Sequence, residues 1–316
     1  MSETKDQNHE ESANGKSSVK WVFWLLLAKI VFILLLAGAA IWIIYTVHEE
    51  NSNNKVGVHF DHVLGSGYSS DGKIFWMGNR SKLFIYHDQT WRSEPLKGSH
   101  EVVNLIPVQQ GFIRVDKEGL EWRTLQQKHL RNQSLSDSNG FWGASYSNQR
   151  VYHLQQSGSK WTLKYSDDGK RWINQPIRNV RGKVQMIAAA PKDKNQLAIG
   201  TSEGLFVSDD HGLHFHHFLK GHSITALAYG YSTQPSLLAG SAGDETSLFQ
   251  VLPNQKKTIN LDMGTVESDR LTQIVQNPVK PEEAVVLTLH GDLYLTENAG
   301  QNWTILAKKG HALNGK

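Results

Sequence analysis

The sequence predicts an all-β fold, a β-propeller of about six four-stranded blades, preceded by one N-terminal transmembrane helix. Three observations support this prediction. An apolar run lies near the N-terminus, a unit of about 40 residues recurs over the rest of the chain, and the recurring part has the hydrophobic patterns of strands rather than helices. The 316 residues are 39% hydrophobic and 20% charged, which is typical of globular domains.

The N-terminal region predicts a tail, a membrane helix and a linker. Residues 1–19 are polar and charged, which predicts a disordered cytoplasmic tail. The transmembrane helix is predicted at residues 20–47, because the run that begins at Trp21 and ends at Val47 is apolar except for Lys29, one threonine and small residues. A helix of that length rises about 40 Å, and the hydrocarbon core of a membrane is about 30 Å thick. Residues 48–56 predict a linker.

The apolar run has alternative interpretations. A cleaved signal peptide is suggested by the small residues at 37–39, but the run exceeds the length of about 7–15 residues of a signal-peptide core. Lys29 could carry an intramembrane function, although a lysine near one end of the helix can extend its ammonium group to the headgroups. Lysines flank the run mainly on its N-terminal side, which predicts a cytoplasmic N-terminus and an extracytoplasmic C-terminal part, at the cell surface or on the periplasmic side.

The charge and cysteine contents restrict the function. The formal net charge is +3, and basic residues are scattered among acidic ones, so no nucleic-acid partner is predicted. The chain has no cysteine, so a domain outside the cytoplasm would depend on its core rather than on disulfides.

The repeat assigns residues 57–310 to the propeller and residues 311–316 to a C-terminal tail. Residues 184–218 contain four short apolar runs separated by turns, and residues 271–308 repeat the same order. The fourth run of each unit falls near positions 91, 130, 172, 215, 258 and 303. This spacing predicts six blades, and a seventh is possible if residues 129–160 contain another unit.

Three of the units share a turn motif. The motif resembles the Asp-box, or BNR repeat, which is the S-x-D-x-G-x-x-W/F turn of sialidase-like and sortilin-like propellers. In the second match one residue is deleted, in the third asparagine replaces the aspartate, and the fifth unit has Thr258 in place of the aromatic residue. The matching residues are Ser208, Asp210, Gly212 and Phe215; Ser166, Asp168, Gly169 and Trp172; and Thr296, Asn298, Gly300 and Trp303.

The residue types of the motif have a structural explanation. A short carboxylate or amide accepts backbone N–H groups in a turn, glycine permits a positive φ, and the aromatic side chain anchors the turn in the core. We therefore interpret the box residues as structural rather than catalytic. Residues 69–75 resemble a box but precede an apolar run directly, which predicts a hairpin turn between the first two strands instead.

The resemblance implies a binding function. Sortilin-type ectodomains and membrane-associated photosystem assembly factors are non-enzymatic binding propellers with this repeat. We therefore predict a membrane-tethered, extracytoplasmic scaffold that binds an unidentified protein or glycan. The alternative is a tethered carbohydrate-active hydrolase, since residues 62–72 are similar to bacterial Asp-box proteins that are labelled glycosyl hydrolases. A structural protein without a ligand is a third possibility.

The candidate chemistry of the chain is sparse, and no catalytic, cofactor-binding or metal-binding residue is predicted. Sialidase activity is not expected. The resemblance would require three arginines that bind a carboxylate, and Arg80, Arg114 and Arg270 could converge on a central face merely by chance among the arginines of six blades.

A glycosidase needs a pair of carboxyl groups. The candidates in predicted loops are Asp61, Asp116, Glu118, Glu121, Asp244, Glu267 and Asp269.

A histidine cluster suggests either a metal site or a surface strand. Neighbouring residues of a strand face opposite sides, and no cysteine is available to complete a ligand set, which favours the surface strand. The cluster comprises His211, His214, His216, His217 and His222. Ligand contacts in propellers are expected where the inner strands begin and end, which points to the loops near His62, Asn104, Asp137, Arg181 and Asp269.

Overall fold

The computed structural model describes Trp24, residues 27–39 and residues 57–313, except residues 99, 136, 148–149, 159, 233–235, 244–245 and 264–268. The chain divides into two compact units, Met1–Val56 and Gly57–Lys316, which are considered separately below.

In the first unit, residues 27–39 are helical and their side chains are exposed. The predicted tail at 1–19, the predicted linker at 48–56 and, apart from Trp24, the other residues of the predicted helix at 20–47 lie outside the described residues. Within the described part of the chain, no helix combines the length and the apolar character that a membrane crossing requires. The transmembrane helix therefore stays a prediction from the sequence.

The second unit consists of six antiparallel sheets, each built from consecutive strands. The first three sheets use the apolar runs recognised in the sequence between residues 65 and 176. Blade 1 contains β1 (Gly65–Tyr68), β2 (Phe75–Gly78), β3 (Lys82–His87) and β4 (Thr90–Pro95). Blade 2 contains β5 (Val102–Val108), β6 (Gly111–Asp116), β7 (Gly119–Arg123) and β8 (His129–Ser134). Blade 3 contains β9 (Phe141–Ala144), β10 (Val151–Ser157), β11 (Lys160–Ser166) and β12 (Ile173–Pro176).

The last three sheets continue the same order. Blade 4 contains β13 (Val184–Ala189), β14 (Leu197–Thr201), β15 (Gly204–Ser208) and β16 (His216–Phe218). Blade 5 contains β17 (Ser223–Tyr229), β18 (Leu237–Ala242), β19 (Ser247–Leu252) and β20 (Lys257–Leu261). Blade 6 contains β21 (Leu271–Gln276), β22 (Ala284–Thr288), β23 (Leu293–Thr296), β24 (Thr304–Lys308) and β25 (His311–Ala312).

The six sheets form a closed ring. The first strand of each blade contacts the first strand of the next, and β21 contacts β1. The prediction of an all-β propeller with six four-stranded blades is therefore confirmed. A seventh blade at residues 129–160 is wrong, because these residues form β8, β9, β10 and the start of β11, which belong to blades 2 and 3.

The core lies between the blades. The described residues form six apolar clusters, and each cluster joins side chains of two neighbouring blades. In the cluster between blades 1 and 2, for example, Trp76 and Ile85 pack with Leu105 and Phe112. The second and third strands of blade 4 and the second strand of blade 6 are buried on both faces. Their sequences are therefore nearly continuous apolar runs rather than alternating ones.

The ring is closed by the two ends of this unit. The Phe60 N–H donates to the Gly310 carbonyl over 2.9 Å, and the Ala312 N–H donates to the Val58 carbonyl over 2.9 Å. His59 bridges to His311, whose ring centroid lies 4.4 Å away. The residues at 311–312 were predicted to begin a tail, but they form β25 on the outer edge of blade 6.

Candidate functional site

The three predicted boxes occupy the same turn, between the third and fourth strands of blades 3, 4 and 6. In blade 4, Ser208 Oγ donates to Asp210 Oδ1 over 2.8 Å and accepts the Gly212 N–H over 2.8 Å. Asp210 Oδ1 also accepts the His214 N–H over 2.9 Å. Gly212 has a φ of +87°, and a Cβ there would lie 2.9 Å from a methyl carbon of Leu163. The turn therefore requires glycine, and its polar side chains satisfy backbone donors.

The box of blade 6 has the same hydrogen bonds although asparagine replaces aspartate. Thr296 Oγ1 donates to Asn298 Oδ1 over 3.0 Å and accepts the Gly300 N–H over 2.9 Å. Asn298 Oδ1 accepts the Asn302 N–H over 2.9 Å. An amide oxygen thus performs the same backbone contacts as the carboxylate of blade 4, without a charge.

The box of blade 3 is shorter by one residue, and its contacts differ accordingly. Ser166 Oγ donates to Asp168 Oδ1 over 3.1 Å, and the Gly169 carbonyl accepts the Trp172 indole N–H over 3.1 Å. Asp168 Oδ1 accepts the N–H groups of Arg171 and its preceding residue, and these bonds hold the pKa of Asp168 well below its ordinary value.

The aromatic residues of the boxes pack between blades. Trp172 joins the cluster between blades 2 and 3, Phe215 the cluster between blades 3 and 4, and Trp303 the cluster between blades 5 and 6. Each box therefore fixes the outer strand of its own blade to the core that it shares with the preceding blade. In blade 5, where Thr258 replaces the aromatic residue, a 3-10 turn at Pro253–Gln255 connects the two strands instead.

Replacement of Ser208 with alanine is expected to lower the free energy of unfolding by about 1–3 kcal/mol, because the buried N–H of Gly212 loses its acceptor. Chemical denaturation of the full chain measures this effect. Ser93, an exposed serine in β4, provides the control, and its alanine variant should change stability by less than about 0.5 kcal/mol. Equal stability of the two variants would show that the box bond contributes nothing.

The box-like segment at 69–75 connects β1 and β2, as predicted. Ser69 Oγ donates to Asp71 Oδ1 over 2.6 Å, and Asp71 Oδ1 accepts the Lys73 N–H over 3.2 Å. The segment is a hairpin turn at the first strand connection of its blade, whereas the three boxes lie at the third.

The three candidate arginines have different environments. Arg80 is exposed and pairs with Glu101 over 2.8 Å. Arg114 is buried, and its Nη1 lies 2.5 Å from Asp116 and 3.4 Å from Glu121. Arg270 lines a central cavity. Because carboxylates of the protein already pair with Arg80 and Arg114, these arginines do not form a set that could bind a ligand carboxylate together.

The candidate carboxylates of a glycosidase are engaged in contacts within the blades. Each one in the described part of the chain contacts a polar or charged side chain of the protein. The pairs are Asp61 with Asn79, Asp116 with Arg114, Glu118 with His100, Glu121 with Arg123, and Asp269 with His290. Asp244 and Glu267 lie outside the described residues.

The histidine cluster is distributed over blade 4 and its neighbours. His211 Nδ1 accepts a hydrogen bond from Arg150 Nη1 over 2.9 Å, and His214 Nδ1 lies 2.6 Å from Asp210. His217 stacks on Phe206, and His222 packs edge-on against Phe249. His216 is exposed on the outer strand. Over the described residues, no group of three or more histidine, aspartate and glutamate side chains has the arrangement of a metal site.

A cavity of about 470 Å³ lies at the centre of the ring and is enclosed by the first strands of all six blades. Its size falls within the range of about 300–1,000 Å³ that is typical of ligand sites. Arg270 is the one charged residue among the described residues of the lining. Of the five loop positions that the sequence suggested, the lining includes Asn104.

Four of the six inner strands contain a β-bulge near their beginning. The register shifts by one residue in β5, β13, β17 and β21, and the extra residues are Val103, Gln185, Thr225 and Thr272. A regular strand directs consecutive side chains to opposite faces, whereas a bulge lets two neighbours share one face. Consecutive residues 185–186 and 272–273 accordingly both line the cavity.

The bulges bring polar side chains into the cavity, and several of them link neighbouring blades. Gln185 Nε2 donates to Ser223 Oγ over 2.7 Å, which connects blades 4 and 5. Ser66 Oγ donates to Gln273 Oε1 over 3.3 Å, which connects blades 1 and 6. The sequence prediction did not include Gln185 or Gln273. Polar residues interrupt the first apolar run of these units, but this pattern alone does not distinguish a bulge from a regular strand.

The end of the cavity where the inner strands finish is occupied by tyrosines. The rings of Tyr146 and Tyr231 pack edge-to-face with centroids 5.1 Å apart. The Tyr146 hydroxyl donates to the Tyr68 carbonyl over 3.4 Å. Burial raises the pKa of Tyr146 to about 12 and also raises the pKa of Tyr231. Both hydroxyls are therefore neutral at ordinary pH, and neither can act as a nucleophilic phenolate there.

No family model matches the chain, and no curated protein matches it. Among solved structures, a chain of the "Crystal Structure of Mitotic Checkpoint Complex" is 12% identical with a TM-score of 0.53, covering 78% of this chain and 76% of that one. A chain of the "Kuenenia stuttgartiensis Hydrazine Synthase" is 10% identical with a TM-score of 0.52, covering 75% of this chain and 78% of that one. At such low identity, these similarities show the β-propeller fold alone.

Proposed function

We propose that the chain is an Asp-box propeller of the sialidase-like and sortilin-like superfamily, tethered to a membrane outside the cytoplasm, that binds a protein or glycan ligand without enzymatic activity. The propeller fold is compatible with a binding scaffold, because a rigid ring presents its loops and central cavity to a ligand. The box turns at Asp168, Asp210 and Asn298 support the choice of superfamily, and the apolar run that begins at Trp21 supports the tether.

The composition of the central cavity is the observation that carries this proposal. Amide and hydroxyl side chains line the cavity, and no carboxylate belongs to its lining among the described residues. A glycosidase requires two carboxyl groups about 5–10 Å apart across its cleft. The binding function is therefore favoured over the hydrolase.

A membrane-impermeant crosslinker tests location and ligand together. Applied to intact cells that contain the full-length chain, it should crosslink the propeller to one recurrent surface or secreted partner, or to surface glycan. Lysed cells provide the control for proteins that the reagent reaches only inside. Crosslinking confined to lysed cells would contradict the location, and release of new reducing ends from a glycan by the purified full chain would contradict the non-enzymatic function.

A further inference from the structure

The side chains around the central cavity retain unused capacity for hydrogen bonding. Asn104 has no side-chain hydrogen bond with any described residue, Gln185 uses its Nε2 group but not its Oε1 atom, and Gln273 uses its Oε1 atom but not its Nε2 group. Thr225 Oγ1 is buried without a partner among the described residues. The unused groups thus include both donors and acceptors, and they come from blades 2, 4, 5 and 6.

This combination is selective for the charge of the ligand. A carboxylate or phosphate ligand offers acceptors alone, so the amide oxygen of Gln185, whose Nε2 group already donates to Ser223, would face another acceptor. A cation would require carboxylates, which the described lining lacks. Arg270 is exposed at the edge of the cavity, where solvent weakens its interaction with an anion. A neutral ligand whose groups both donate and accept complements the cavity.

The arrangement of the groups also restricts the shape of the ligand. The inner strands of four blades contribute Asn104, Gln185, Thr225 and Gln273 to the lining of one cavity, so the partners of a ligand surround it on several sides. An extended peptide presents its N–H and C=O groups along a line, whereas the hydroxyls of a sugar radiate around its ring, and each hydroxyl donates one hydrogen bond and accepts others. The half-buried ring of Phe141 adds an apolar surface to the lining.

We propose that the central cavity binds an uncharged saccharide, through the amides of Asn104, Gln185 and Gln273 and the hydroxyl of Thr225. The proposal rests on the binding function proposed above and specifies its ligand class. The amides bind vicinal hydroxyls of the sugar, and the ring of Phe141 packs against the C–H groups of the sugar.

Glycan binding by the full-length chain in lipid nanodiscs tests the proposal, and nanodiscs avoid detergents that contain sugars. The probes are maltose, cellobiose and diacetylchitobiose, with glucuronic acid as the acidic comparison and trialanine amide as the peptide comparison. We expect at least one neutral disaccharide to bind in isothermal titration. Gln185→Leu and Gln273→Leu should each weaken its association about tenfold, which corresponds to the loss of one buried hydrogen bond.

Two further variants make the result specific. Gln175→Leu alters a half-buried glutamine in β12 outside the cavity and should leave the association constant unchanged. Arg270→Gln removes the one charge among the described residues of the lining and tests the charge of the ligand, because a neutral disaccharide should still bind this variant. Thermal unfolding of every variant shows whether the propeller remains folded.

The alternative outcomes overturn the inference in distinguishable ways. Preferential binding of glucuronic acid that is lost in Arg270→Gln would show an anionic ligand, and binding of trialanine amide that is weakened by Gln185→Leu would show a peptide ligand. If no saccharide binds while the crosslinker still captures one recurrent protein, the saccharide site is wrong and the scaffold function stands. If neither a saccharide nor a partner is found, both proposals fail.

Discussion

Replacement of Asp167 with alanine is expected to lower the free energy of unfolding by about 2 kcal/mol, which is typical of losing a hydrogen bond between charged groups. The Asp167 side chain is 51% exposed, so solvent keeps the loss below the about 3–5 kcal/mol of a fully buried ion pair. Arg150 is 5% exposed, and its Nε and Nη2 atoms donate to the Asp167 carboxylate over 2.5 and 2.8 Å. Loss of the carboxylate leaves a buried guanidinium without an anion. The Lys194 carbonyl still accepts from Nη1 over 3.3 Å, which limits the loss.

This ion pair connects two blades. The Arg150 guanidinium carbon lies 4.6 Å from the ring centroid of Tyr165 in blade 3, while its Nη1 atom also contacts His211 in the box of blade 4. The hydrogen bond from Arg150 lowers the pKa of Asp167, so this stabilisation is complete above the ordinary pKa of aspartate and is lost as the pH falls through the lowered value.

Asp209 provides a matched control, because it occupies the same box position in blade 4 and is exposed. Asp209→Ala should change the free energy of unfolding by less than about 0.5 kcal/mol. Urea denaturation of the full chain, followed by the fluorescence of its tryptophans, measures both variants. An Asp167→Ala variant as stable as Asp209→Ala would show that Arg150 does not depend on this carboxylate.

Acidification from pH 7 to pH 4 is expected to cost the protein about 3 kcal/mol of stability through His153 alone. Burial lowers the pKa of His153 from 6.5 to about 4, although the hydrogen bond with the Asn139 carbonyl opposes this shift. The unfolded chain therefore binds a proton between these two values while the folded chain does not. The contribution of the neutral ring to the free energy of unfolding is therefore complete above pH 6.5, and it declines as the pH falls toward 4.

The packing around His153 explains why the neutral ring is preferred. The imidazole is 3% exposed and stacks on Trp142, with centroids 3.8 Å apart and an angle of 6° between the planes. Lys164 adds a repulsion that lowers the pKa further, and Asp137 raises it slightly.

The variant His153→Phe retains an aromatic ring but cannot titrate. Its free energy of unfolding should depend less steeply on pH than that of the unaltered chain, with a difference of about 3 kcal/mol accumulating between pH 7 and pH 4. Denaturation curves at intervals of pH measure this difference. Parallel pH profiles for the two proteins would contradict a neutral buried His153.

The sequence predicts the blades well because each blade is a local unit. Its four runs lie within about 40 residues, and the turns between them contain glycine, aspartate or proline, which act through short-range hydrogen bonds. The fifth blade shows that the box is not required for an outer strand. Thr258 replaces the box aromatic there, and the blade still forms β20 through a different turn.

The closing strand and the cavity depend on longer-range features. His311 and Ala312 have no hydrophobic pattern of their own, and they form β25 because Val58 and Phe60 supply partners from the other end of the unit. The bulges are equally difficult to predict, because the apolar run around Gln185 is the same whether the strand is regular or contains an extra residue. The pairing register with the neighbouring strand decides whether a bulge forms, and that register is a property of the folded sheet.

Ring closure by the two ends of the propeller has a consequence for its synthesis. Val58 and Phe60 are among the first residues of this unit to leave the ribosome, and their partners at 310–312 are among the last. Until then the chain can form only an open arc, in which the apolar side chains of blade 1, such as Phe84, lack the packing that Val285 and Leu306 of blade 6 provide. The final contacts join residues of very large sequence separation, so the ring can close only after residues 310–312 have been synthesised, and chaperones that cover apolar surfaces would act on this arc.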